Sequence, residues 1–330
     1  MYAVFALLLF SLHKSSRRRS HTSSICPDAE KLYDHSYFNN SNFPINFSNF
    51  SFSEDQSFAG KGHFSVVKKS TLSDGRVVAV KEIKIFKRRD LIRELSVLKA
   101  IEKVNHTIKL IGVTGNETNP IILYSFHNST KYGYQNLTMS QFKWWLKTLL
   151  ETVSELHEHG IIHRDLKLGN ILADFDNKEL TIIDFGLAEF NRLRGPKRPR
   201  VGCFRLKSPE LAIESEKYDC SSDIWAIGIA CLDLMIGFRS NWIIKSNSML
   251  VQNLISYFGS KTWNNFVKKY DKSYLAQYSS HGDIFELAMP GHYKLVTLES
   301  LDLVYKFLTF DPKQRITARQ ALKHPFFTNE

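Results

Sequence analysis

The stretch IIHRDLKLGNILADFDNKELTIIDFG, Ile161 to Gly186, sets the carboxylates of Asp165 and Asp184, the ammonium of Lys167 and the carboxamide of Asn170 beside apolar neighbours. A hydrophobic core has no use for Asp165, Lys167, Asn170 and Asp184, because each buried polar group costs free energy unless it is paired. Asp184 and Asn170 offer hard oxygen atoms, few in number, which suit magnesium shared with phosphate groups. Asp165 precedes Asn170 by five positions and is left to act on a hydroxyl. A second stretch, FAGKGHFSVVKKSTLSDGRVVAVKEIKIF, carries Gly60 and Gly62, where the backbone can approach an anion with its N–H groups.

The elements that must position these residues are legible around them. The glycine-bearing stretch reads as two strands, a turn at Ser73-Asp74-Gly75 and a third strand. LIRELSVLKAI reads as a short helix, and PIILYSF as a further strand. LTMSQFKWWLKTLLETVSELHEHG spaces Phe142, Trp145, Leu146, Leu149, Val153 and Leu156 for one helix face, and Gly160 stops it. ILADFDNKELTIID reads as a hairpin turning at Asp176-Asn177-Lys178, which returns Asp184 to Asn170. SSDIWAIGIACLDLMIG is apolar nearly all round, so it is expected as a helix buried on every side.

HRDLKLGN with DFG resembles the catalytic and metal-binding loops of eukaryotic protein kinases. Gly60, Gly62, Ser65 and Val67 resemble the glycine-rich loop, with Ser65 at the third glycine position. Val78-Ala79-Val80-Lys81 resembles the phosphate-holding strand, and Glu94 is the matching helix glutamate. Ser208-Pro209-Glu210, Asp223-Ile224-Trp225 and Arg315 follow in the expected order. Singly, Lys81 reads as a surface lysine, Asp165 as a helix cap and the glycines as turns. Together and in register they do not. The resemblance implies an α+β, bilobal protein-kinase fold with a small β-rich N-lobe and a larger helical C-lobe. It implies ATP and Mg2+ as cofactors, with Gly60, Gly62, Ser65, Val67, Ala79, Lys81 and Glu94 around the nucleotide. Asn170 and Asp184 are the expected metal ligands, Asp165 and Lys167 the catalytic pair, and His163 a structural hydrogen-bonding residue. The HRDLK form resembles serine/threonine rather than tyrosine kinases.

Between Gly186 and Ser208 no serine, threonine or tyrosine occurs, so Arg164 has no phosphate on this segment to bind. The segment carries Arg192, Arg194, Lys197, Arg198, Arg200, Arg205 and Lys207. In a kinase it lines the peptide groove, so acidic or phosphorylated protein substrates are expected. Two acid-directed families fit. DIWAIGIACLDLMIG and SYFGSKTWNNFVKKYDKSYL resemble the cell-division-cycle-seven kinases of replication and cell-cycle control, which need an activator subunit. Arg93-Glu94, GLAEF and NPIILYSFHNST resemble the casein kinase two catalytic subunit. Leu168 and Cys203 depart from both. An inactive kinase-fold scaffold is the lesser alternative, opposed by the presence of Lys81, Glu94, Asp165, Asn170 and Asp184.

Net charge of +11 points to anionic partners. Direct nucleic-acid binding is not expected, since the basic segment offers only Phe190 and Phe204 for stacking. MYAVFALLLFSL is too short an apolar run to span a bilayer as a helix, and no membrane role is expected. Cys26, Cys203, Cys220 and Cys231 lack metal-ligand spacing and read as reduced thiols of an intracellular, nuclear or cytoplasmic protein. Residues 1–50 read as a disordered extension, and residues 52–328 as the domain, with the N-lobe about 52–127 and the C-lobe about 128–328.

Overall fold

A computed structural model of the chain describes residues 26–34, 37–38, 45–53, 57–61, 65–85, 87–127, 134–193, 197, 199, 202–237, 242–284, 288–289 and 293–328. Strands β1 (Ser57–Lys61), β2 (Ser65–Thr71), β3 (Val77–Ile83), β4 (Leu110–Gly115) and β5 (Pro120–Ser125) form an antiparallel sheet in the order β1-β2-β3-β5-β4. Helix α1 (Arg88–Ala100) buries Leu91, Ile92, Leu95, Val97 and Leu98. This is the small sheet-bearing lobe. The larger lobe is helical, built on α2 (Met139–Glu158), α3 (Pro209–Ala212), α4 (Ser221–Ile236), α5 (Asn247–Phe258), α6 (Ser260–Tyr270) and α7 (Leu298–Phe307). The architecture is the mixed α+β, bilobal one expected. As its composition implies, α4 is buried along nearly its whole length, from Ser222 to Leu232 and again at Met235 and Ile236.

Two compact units emerge from the chain contacts, residues 26–133 with 155–194 and residues 134–154 with 195–330. The cut therefore does not fall cleanly at residue 127. The hairpin β7 (Ile171–Asp174) and β8 (Glu179–Ile182), which follows the two-residue strand β6 (Ile161–Ile162), belongs with the sheet. Backbone pairing explains this: Ile108 N–H donates to Ile182 O at 3.0 Å, and Ile182 N–H to His106 O at 2.8 Å.

The described part of the extension departs from the disorder expected of it; residues 1–25 lie outside the described residues. From Cys26 onward its described residues fold onto the sheet-bearing unit. Ala29 N–H donates to Asn191 O at 2.8 Å, and Tyr33 Oη to His159 O at 3.1 Å. The fully buried Asn191 returns its amide to the carbonyls of Cys26 and Pro27 at 3.0 and 3.1 Å. The rings of Tyr33, Tyr37 and Phe38 gather on Phe190 of β9 (Glu189–Phe190), with centroids 5.1–6.2 Å apart. Phe50 lies against Gly112, where a Cβ would come within 2.7 Å of its ring. Phe50 and Phe52 also cover Leu72, Val78, Val80 and Leu123 of the sheet core. The physical reason is aromatic burial, which outweighs the asparagine and serine content of the segment.

The cysteines also depart from expectation. Cys203 and Cys231 are free, whereas Cys26 and Cys220 are disulfide-bonded. Among the described residues no helix is long and apolar enough to cross a membrane. The run MYAVFALLLFSL lies outside them.

Candidate active site

Strand register fixes the first cation. In β2 and β3, Val67 pairs with Lys81 and Lys69 with Ala79, and on the other side Lys81 pairs with Ile122 of β5. Lys81 Nζ donates to Glu94 Oε1 at 2.7 Å and reaches Asp184 Oδ1 at 3.4 Å. Burial works against the lysine's charge, but Glu94 and then Asp184 more than restore it, so its pKa lies above the ordinary value. An ammonium has three N–H donors, and only two are spent on these carboxylates. One remains for a phosphate oxygen. Glu94 is itself buried, and it also accepts from Tyr124 Oη at 2.6 Å.

Asp165 sits in the turn between β6 and β7. It is 5% exposed, and its Oδ2 accepts from Lys167 Nζ at 2.6 Å and from Asn170 Nδ2 at 2.8 Å. Its Oδ1 is buried without a hydrogen-bond partner. A lone pair left bare in a buried carboxylate is costly, which marks the atom as one that awaits a ligand. Asn170 spends its amide N–H groups on Asp165, at the backbone O as well, 3.0 Å away. Its Oδ1 is thereby the atom left for a metal.

Ile183 N–H donates to Asn170 O at 2.9 Å, which seats Asp184 beside the asparagine. Asp184 has φ of 61°, a left-handed conformation strained for a residue with a Cβ. Its side chain is 48% exposed; partial enclosure would raise its pKa, but Lys81, then His163 and Lys167, hold it below the ordinary carboxylate value, so it is ionised at neutral pH. Gly186 follows, where a Cβ would lie 3.2 Å from Asp184 Oδ1 and 3.3 Å from Glu94 Oε2. Among the described residues no cluster of three or more histidine, cysteine, aspartate or glutamate side chains could hold a metal. One carboxylate and one amide oxygen fit magnesium, which keeps several of its waters, better than a metal wanting a full protein cage.

The structure brings Lys81, Glu94 and Asp184 into one network, and Asp165, Lys167 and Asn170 into another within the same unit. Gly60 lies in β1 opposite Val67, and Ser65 opens β2. Gly62 lies outside the described residues. His163 is wholly buried, its Nε2 at 3.2 Å from Ile183 O and its ring against Phe185.

Matched to known families, residues 53–327 fit the protein kinase domain. The chain belongs to the protein kinase family. In this kinase Glu210, after Ser208-Pro209, takes both terminal nitrogens of Arg315 at 2.9 Å.

The contacts of three residues were not legible in the sequence. Arg93 donates to Gly186 O at 2.8 Å, tying α1 to the Asp184 turn. Arg164 donates through Nε to Leu187 O at 2.6 Å, and its guanidinium lies 3.7 Å from Glu189. Tyr124 binds Glu94. Its signal was a lone hydroxyl in the apolar run PIILYSF, since a buried tyrosine needs a partner. The basic segment also differs from an open row of cations. Lys197 is buried, donating to Tyr218 O at 2.5 Å, and Lys207 is buried with its ammonium over the Phe204 ring. Long aliphatic stems pack readily on apolar surface, which is why charge alone misplaced them. Arg194, Arg198 and Arg200 lie outside the described residues.

Proposed function

We propose that this kinase transfers the γ-phosphoryl group of ATP to serine or threonine hydroxyls. The observation that carries this is Asp165 Oδ1, buried and unpartnered beside Lys167 and Asn170. Asp165 orients the attacking hydroxyl and receives its proton as the oxygen–phosphorus bond forms and the bond to the leaving diphosphate breaks. Lys167, two residues on and half-exposed, offsets charge on the transferring group. Lys81 holds the α- and β-phosphates with its remaining donor, and Glu94 keeps it aimed. Asp184 and Asn170 would hold magnesium, which supplies charge neutralisation for the phosphates when bound.

We read acidic substrates from the net charge of +11 and the seven cations between Gly186 and Ser208, a reading weakened by the burial of Lys197 and Lys207. Of the two acid-directed families, the cell-division-cycle-seven reading rests on the α4 and α6 sequences and brings an activator subunit and a replication role. The casein kinase two reading rests on Arg93-Glu94, GLAEF and NPIILYSFHNST, and brings no need for an activator.

A degenerate serine peptide library, with and without candidate activator subunits, tests both. The expected outcome is preference for acidic residues after the serine by about tenfold, built from exposed pairs of roughly 0.2–1 kcal/mol each. That preference weakens as salt is raised. Activity independent of added subunit favours the second family. Preference for basic peptides contradicts the acid-directed reading.

A further inference from the structure

We propose that Tyr124 is a positioning residue for phosphoryl transfer, its hydroxyl holding α1 where Glu94 grips Lys81. This rests on the phosphoryl-transfer reading above. Register places the tyrosine: Ala79 of β3 pairs with Tyr124 of β5, and Lys81 pairs with Ile122. Side chains at Ala79 and Lys81 share one face of the sheet, so Tyr124 is a diagonal neighbour of Lys81 on that face. Glu94 Oε1 accepts from both, at 2.6 Å from Tyr124 Oη and 2.7 Å from Lys81 Nζ. The three groups are therefore one network and not two pairs that happen to adjoin.

Both Tyr124 and Glu94 are about 95% buried, at 5% and 4% exposure. Burial, then the neighbouring carboxylate, pushes the phenol pKa well up, so the hydroxyl stays protonated and can only donate here. Without it, Glu94 keeps a single donor at Oε1, while the rest of α1 is anchored by Arg93 on Gly186 O. A buried carboxylate short of a donor gains by moving to water, and moving it draws α1 away from Lys81. A phenylalanine fills the same space and supplies no such hold. The hydroxyl thus serves the active arrangement specifically.

Tyr124→Phe in the full chain tests this, read by amide hydrogen exchange and by steady-state kinetics. Exchange across Arg88–Ala100 is expected to quicken about tenfold, with kcat/KM for ATP falling by a similar factor. In a Glu94→Gln background the same substitution is expected to change both by less than about twofold, because the hydroxyl has then lost its charged acceptor. Unchanged exchange in α1 overturns the proposal. So does an equal loss in both backgrounds, or faster exchange spread through the whole chain. If the unmodified protein transfers no phosphate with or without candidate activator subunits, the phosphoryl-transfer reading fails, and the exchange comparison alone decides the role of Tyr124.

Discussion

Two ion pairs, one in each compact unit, use the same chemistry to opposite ends. Arg315 and Glu210 are 2% and 1% exposed, and the arginine is saturated. Beyond its two bonds to Glu210 it donates to Thr309 O, Ser221 O and Phe310 O at 2.8–3.2 Å, and its guanidinium lies over Trp225. Nothing is left for a ligand. Lys81 and Glu94 close just as tightly, yet around them stand a spare ammonium donor, a left-handed Asp184 and, in the same unit, the bare oxygen of Asp165. A pair that fixes structure uses every polar atom; a site that does chemistry keeps some unspent.

That contrast predicts different failures. Asp184→Asn leaves the size of the side chain and removes the charge of the proposed metal ligand. Phosphoryl transfer is expected to fall by roughly three orders of magnitude, since metal-ion stabilisation is worth several kcal/mol. A thermal melt should shift by no more than a few degrees. Retained activity would move the metal site elsewhere. Arg315→Ala should do the reverse. It strands Glu210 in the interior, and breaking a buried pair from one side costs about 3–5 kcal/mol. The urea midpoint is expected to drop accordingly, with specific activity of the folded fraction preserved. Equal loss of both would erase the distinction between the two pairs.

A smaller effect concerns pH. Burial lowers the pKa of His127 in one unit and of His324 in the other. In the unfolded chain these imidazoles take up a proton below about 6.5, while in the folded chain they resist it. Stability is therefore unaffected above that pH and declines as pH falls from about 6.5 toward the lowered folded values. Urea titrations at stepped pH check this, and replacing both histidines by glutamine should flatten the slope. A rise in stability on acidification would contradict it.

Legibility in the sequence followed distance along the chain. Asp165, Lys167 and Asn170 share one turn, so their spacing alone implied their meeting. The sheet, α2 and α4 were read from periodicity and turn residues. What escaped depends on contacts far apart in sequence. Phe38 and Phe190 meet across most of the sheet-bearing unit, and only the recurrence of Tyr33, Tyr37, Phe38, Phe47, Phe50 and Phe52 hinted that the extension would pack. Lys197 and Lys207 counted as groove cations by charge, but charge does not reveal what the stem lies on. Glu189 beside Arg164 was equally silent, since the sequence showed only that no phosphorylatable residue lies between Gly186 and Ser208.

The most direct test is the initial rate at which the phosphatase-treated full chain moves the γ-phosphate of ATP onto an acidic serine peptide with magnesium. Asp165→Asn serves beside it as the control. The arrangement of Arg164 on Glu189 and Leu187 O, and of Lys81 on Glu94, predicts steady transfer without a lag or prior phosphorylation. It predicts loss of about two or more orders of magnitude in the control, which removes the proton acceptor. No transfer by the treated protein with or without candidate activator subunits, or an undiminished rate in Asp165→Asn, would contradict the account.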